Sequence, residues 1–175
     1  PQLLTNLAYN LNHGERDVRL FELGKVYLKQ SDKFVEPHQA VAVFTGKNNP
    51  EHWQAKSNDI DFYWVKGCFE SILERLNVLC TVTHAPQNYF VQHESRMYQV
   101  GSKTVGAFGR IKPQVLEAWE IDTTNLKQDV WIVEFDLEEI AEITRHQVIR
   151  YVPISRYPSV VRDLSFLCSD SISYQ

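Results

Sequence analysis

The sequence predicts an α+β fold, an antiparallel sheet with flanking helices, on three observations. Short runs alternate apolar and polar residues, longer runs carry apolar residues at helical spacing, and neighbouring strand-like runs are joined by turn-like links. With 175 residues, 43% of them apolar and 23% charged, the chain can bury a core without staples.

Leu3, Leu4, Leu7, Ala8 and Leu11 recur at helical spacing, and Asn12-His13-Gly14 marks a stop. Alternation then runs from Val18 to Leu28, with Gly24 predicting a bulge or a close backbone approach. Ser31 to Pro37 is turn-like and Gln39 to Phe44 returns, so the two strands form a long hairpin. A polar loop, Gly46 to Asn58, leads into a helix over 59–76, capped by Asn58 or Asp59. Phe62, Val65, Phe69, Ile72, Leu73 and Leu76 share one of its faces.

Short strands are expected at Val78–Thr83, Arg96–Val100 and Thr104–Phe108, the last two joined by a tight turn at Gly101-Ser102. Pro113 suits a first helical turn, predicting a helix over Gln114–Trp119. Val130 to Val133 is apolar on both faces, as a central strand is. Leu137–Ile143 reads as a helix, and Val161–Cys168 as a strand behind a boundary at Pro153 and Pro158.

No stretch approaches the ~18 apolar residues of a membrane span, and no secretory leader pattern opens the chain. Met97 is the only methionine and Pro1 comes first, which reads as a fragment of something larger. Cys68, Cys80 and Cys168 form neither a disulfide framework nor a zinc pair, so the expectation is reduced thiols in a cytoplasmic protein. The net charge of −4 is uneven: residues 1–142 carry −6, whereas 143–162 carry +4 from Arg145, Arg150, Arg156 and Arg162.

Catalytic signatures are missing. The six histidines show no HxxxH or HExxH spacing, and neither a GxSxG elbow nor a P-loop occurs, so no metal site or catalytic residue is assigned. Gly106 and Gly109 read as a strand edge packed closely against a helix rather than as a phosphate cradle. Glu138 and Glu139 diverge on a helix and suit paired acid–base work poorly. Trp53, Trp64, Trp119 and Trp131 read as core or interface residues.

Taken jointly, several stretches resemble the C-terminal part of the bacterial phenylalanyl-tRNA synthetase beta subunit. They are Leu7-Ala8-Tyr9-Asn10, Asp17 to Tyr27 (DVRLFELGKVY), His52-Trp53, Asp61-Phe62, Lys66-Gly67 and Val105 to Pro113 (VGAFGRIKP). Ser155 to Leu164 (SRYPSVVRDL) resembles the opening of that subunit's ferredoxin-like anticodon-binding domain. One departure is His93-Glu94-Ser95-Arg96, where the family more often has His-Pro-Gly-Arg.

The resemblance implies a class II aminoacyl-tRNA synthetase catalytic-like fold over residues 1–153, incomplete at its N-terminus. Residues 154–175 would be the first strand of a truncated anticodon-binding domain. It further implies an α2β2 heterotetramer that joins phenylalanine to tRNA with ATP and Mg²⁺, the alpha subunit carrying the chemistry. In the active relatives, arginines on a hairpin and at a later strand–helix junction receive the nucleotide's phosphates. Matching Gly24 to Tyr27 places Leu28 at the first of these positions and Gln30 at the nearby acid. The junction spans Glu134 to Ile140, with Glu139 where an arginine is expected and four carboxylates in all. Losing one preorganised donor costs about 10²–10³ in rate, so this fragment is expected to be inactive and to hold no cofactor of its own. Lys29 is a point charge without a guanidinium's fork.

Two other readings compete. A free-standing adenylate-forming ligase needs a positive groove at Arg19, Lys25 and Lys29. An autonomous RNA-binding module would rest on Arg145, Arg150, Arg156 and Arg162 with Tyr151 and Tyr157. Within the scaffold reading, Arg156 and Arg162 are candidate RNA contacts. Helix 59–76 with Trp53, Tyr63 and Trp64 is the candidate face for the alpha subunit.

Overall fold

A computed structural model describes residues 2–30, 33–50, 52–54, 56–122 and 127–148, then 151, 153, 156–157, 160–165, 167 and 169. Helix α1 (Gln2–Asn12) buries Leu3, Leu4 and Leu7. Strand β1 (Val18–Lys25) pairs antiparallel with β4 (His38–Thr45) in unbroken register from Val18↔Thr45 to Lys25↔His38. The hairpin extends through β2 (Leu28–Gln30) and β3 (Lys33–Val35). Gly24 sits opposite Gln39 within that register, so the expected bulge is absent.

Helix α2 (Phe62–Arg75) starts later than its apolar pattern suggests. Its cap is Asp61, whose carboxylate accepts the Trp64 N–H at 2.8 Å. Asn58 and Asp59 are used differently: Asn58 N–H donates to the Asn48 side chain, and Asp59 forms a β-bridge with Lys47. Val65, Phe69 and Leu73 of α2 are buried, whereas Ile72 and Leu76 are exposed.

Strand β5 is confined to Thr81–Thr83, β6 runs Phe90–Val100 and β7 Lys103–Ile111. Strand β6 is longer than expected because the polar run Gln92 to Ser95 hides its alternation, and its register with β7 shifts between Phe90 and Ser95. The departure at His93 to Arg96 therefore lies in an irregular strand, with Ser95 buried and Glu94 ion-paired to Arg110. Helix α3 (Pro113–Glu117) carries its proline in the first turn. Strand β8 (Val130–Asp136) lies between β4 and β7, and helix α4 (Leu137–Thr144) follows it directly.

The six-stranded order is β1-β4-β8-β7-β6-β5, with every neighbouring pair antiparallel. One face packs Leu3, Leu7, Val43, Phe90, Ile111, Leu116 and Ile132 beneath α1 and α3. The opposite face packs Val65, Phe69, Phe108, Trp131, Phe135 and Ile140 beneath α2 and α4. Gly106 belongs to an interior strand, where a Cβ would meet the Glu134 carbonyl and stand 3.0 Å from the Phe69 ring. The strand expected at Val161–Cys168 is not formed among the described residues. Residues 160–165 lie in no helix or strand, with Val161 and Leu164 exposed and no sheet neighbour to pair with. Cys168 lies outside the described residues.

Candidate functional site

On the α1 face, the register aligns Glu22, Val41 and Glu134 in one row across β1, β4 and β8. Both acids follow core-facing apolar positions by two residues, Leu20 on β1 and Ile132 on β8, so the pleat aims them at the same side. They line a cleft of about 460 Å³ whose walls include Leu3, Ile111, Val115 and Trp119. The Tyr89 hydroxyl donates to Glu134 Oε2 at 2.8 Å. Burial raises the Glu134 carboxyl above its ordinary value, opposed by that hydrogen bond. The Tyr89 hydroxyl is itself pushed well above the usual phenol range by burial, then by the neighbouring Glu134 charge.

Lys25 is the basic residue on this lining, and its ammonium pairs with Glu36 at 3.2 Å. Among the described residues no arginine lines the cleft. Leu28 is half-exposed on β2 opposite Val35, beyond the lining. The side chain of Gln30 lies outside what the structure describes.

The four carboxylates of the β8–α4 junction do not converge. Glu134 faces the cleft, while Asp136 caps α4 by accepting the Glu139 N–H at 3.0 Å. Glu138 pairs with His38 at 2.7 Å, and that hydrogen bond holds its carboxyl below the usual value. Glu139 pairs with Lys103 at 2.7 Å. Of the four carboxylates that the junction holds, one lines the cleft, joined by Glu22 from β1. The other three are engaged in a cap and two ion pairs.

The positive groove of the ligase reading is not assembled. Arg19 lies on the other face of β1, its guanidinium donating to the Lys47 carbonyl and standing 5.9 Å from the Trp64 ring centre. Trp53 and Tyr63 are exposed, at 86% and 77%. Trp64 is half-buried, edge-on to Phe44 at 5.5 Å. Arg145 pairs with Glu142 at 2.8 Å, Arg156 and Arg162 are exposed, and Arg150 lies outside the described residues.

Sequence reasoning missed Glu22, Tyr89 and Trp119 as lining residues. Glu22 was detectable, as an acid at a core-facing position of an alternating strand. Tyr89 lies in a turn that no periodicity reports.

This architecture also occurs in solved structures. The pyrrolysyl-tRNA synthetase of Desulfitobacterium hafniense superposes with a TM-score of 0.57 over 83% of this chain and 48% of that one. At 17% identity, this is a likeness of fold. The sequence matches the family described as phenylalanyl tRNA synthetase beta chain CLM domain over residues 1–137. The chain belongs to that family.

Relatives of this CLM domain include the phenylalanine–tRNA ligase beta subunit of Dehalococcoides mccartyi, 32% identical over 99% of this chain and 21% of that protein. The Thermotoga maritima beta subunit is 31% identical over 94% of the chain and 20% of its own length. The chain therefore spans about one fifth of the relatives it matches.

Proposed function

We propose that this domain is a non-catalytic scaffold within a phenylalanine–tRNA ligase beta subunit. It packs against a catalytic alpha subunit that uses ATP and Mg²⁺, and it leads into a tRNA-binding domain that begins near residue 154. Family membership and the class II synthetase-like fold support the assignment to a ligase assembly, and the cytoplasm is its proposed location. The observation that carries the loss of catalysis is the lining of the cleft. Two carboxylates, Glu22 and Glu134, face a space whose only basic lining residue among those described is tied to Glu36. A triphosphate in such a site meets like charge, whereas phosphoryl chemistry needs preorganised cations.

Pyrophosphate exchange with phenylalanine and ATP tests the reading. The full-length beta subunit without alpha is expected to match the enzyme-free blank, and the reconstituted assembly to exchange. Exchange by beta alone sinks the scaffold assignment. The exposed pair Trp53 and Tyr63 is proposed to meet the alpha subunit, while Trp64 completes the domain's own packing against Phe44. Exposed Arg156 and Arg162 are proposed to contact tRNA phosphates.

A further inference from the structure

The cleft on the α1 face has the properties of a ligand site rather than of a packing defect. Its volume of about 460 Å³ falls within the ~300–1,000 Å³ typical of small-molecule sites. Its walls are mostly apolar, with Leu3, Val41, Ile111, Val115 and Trp119 around a floor that carries Glu134. Glu134 is positioned by its strand and by Tyr89, whose hydroxyl donates to Oε2 at 2.8 Å. Glu22 stands on the same row of the sheet two strands away, with Val41 of β4 between them.

We propose that this cleft binds a small organic monocation, a primary ammonium group on an arylalkyl or branched-alkyl body. The ammonium pairs with Glu134, and the body lies against Trp119 and the aliphatic wall. Two features set the charge preference. Glu22 and Glu134 outnumber Lys25, and Lys25 is already paired with Glu36. A ligand bearing its own carboxylate would therefore be repelled, so the amine is preferred over the corresponding zwitterionic amino acid.

Gly24 lies on the lining, and a Cβ built there meets nothing within 4 Å. A larger side chain at that position is accommodated by the fold and occupies the cleft.

Calorimetric titration of tryptamine into the full-length protein tests this, with tryptophol as the neutral isostere and tryptophan as the zwitterion. Tryptamine is expected to bind, with tryptophol and tryptophan each weaker by roughly 10-fold or more, as loss of a charge-assisted hydrogen bond implies. Glu134→Gln keeps an acceptor for Tyr89 and should weaken tryptamine by a similar roughly 10-fold factor. Gly24→Phe should abolish binding, whereas Glu142→Gln, at the distant Arg145 pair, should leave it intact. Absence of tryptamine binding, or binding that survives both Glu134→Gln and Gly24→Phe, overturns the proposal. So does equal affinity for tryptamine and tryptophan.

Discussion

Glu134 carries a conflict between position and charge. Its neighbours in sequence, Val133 and Phe135, are buried on the opposite face, whereas Glu134 lines the cleft. Among the described residues, the titratable groups that line the cleft with it are Tyr89, Glu22 and Lys25, and Lys25 is engaged by Glu36. Burial raises its carboxyl above the ordinary 4.5, so the folded state holds this proton more tightly than the unfolded chain. Stability contributed by the group is therefore full at low pH and is lost as pH rises through the raised value. Glu134→Gln removes that loss. It is expected to raise Tm at pH 7 and to leave Tm near wild type at pH 4, measured by thermal denaturation across pH. A lower Tm at pH 7 would show that the carboxylate is stabilising where it sits.

At the scale of elements, two contacts decide how helix meets sheet. Asp61 caps α2, and Asp61→Ala should destabilise the domain by about 1 kcal/mol in chemical denaturation. Gly106 lets β7 approach Phe69 of α2 at the centre of the sheet, where even a methyl group overlaps the Glu134 carbonyl. Gly106→Ala should destabilise by about 2–3 kcal/mol, an overpacking effect seen as a lower denaturant midpoint with unchanged slope. These contacts also mark what was legible in the sequence. Period-two and helical patterns located α1, the β1–β4 hairpin, α2, β8 and α4, because each buries one face or both. The first half of β6 stayed hidden, since Gln92, His93, Glu94 and Ser95 are polar whichever face they take. The cleft was legible only in part. Leu28 and Glu139, the positions read for missing arginines, both lie off its lining. That Glu139 faces Lys103 while Glu134 faces Tyr89 depends on register and on helix orientation, which no single segment encodes.

For the whole molecule, the question is where this folded unit stops. Gln147 donates to the Asn77 carbonyl at 3.0 Å, tying the segment after α4 back to the end of α2. Beyond it the character changes: Val160, Val161, Leu164 and Leu167 are all at least 75% exposed. Exposed apolar side chains contribute nothing to this core, because the gain per residue comes from area removed from water. They lie in the stretch where the second domain is proposed to begin, near 154. A chain ending at Val148 should therefore unfold cooperatively with a Tm within roughly 2 °C of the 175-residue chain, since less than ~0.5 kcal/mol separates them. It should also bind less of a hydrophobic dye, having lost those side chains. A fall in Tm of more than roughly 5 °C would instead make the last residues part of this domain's own core and move the boundary past them.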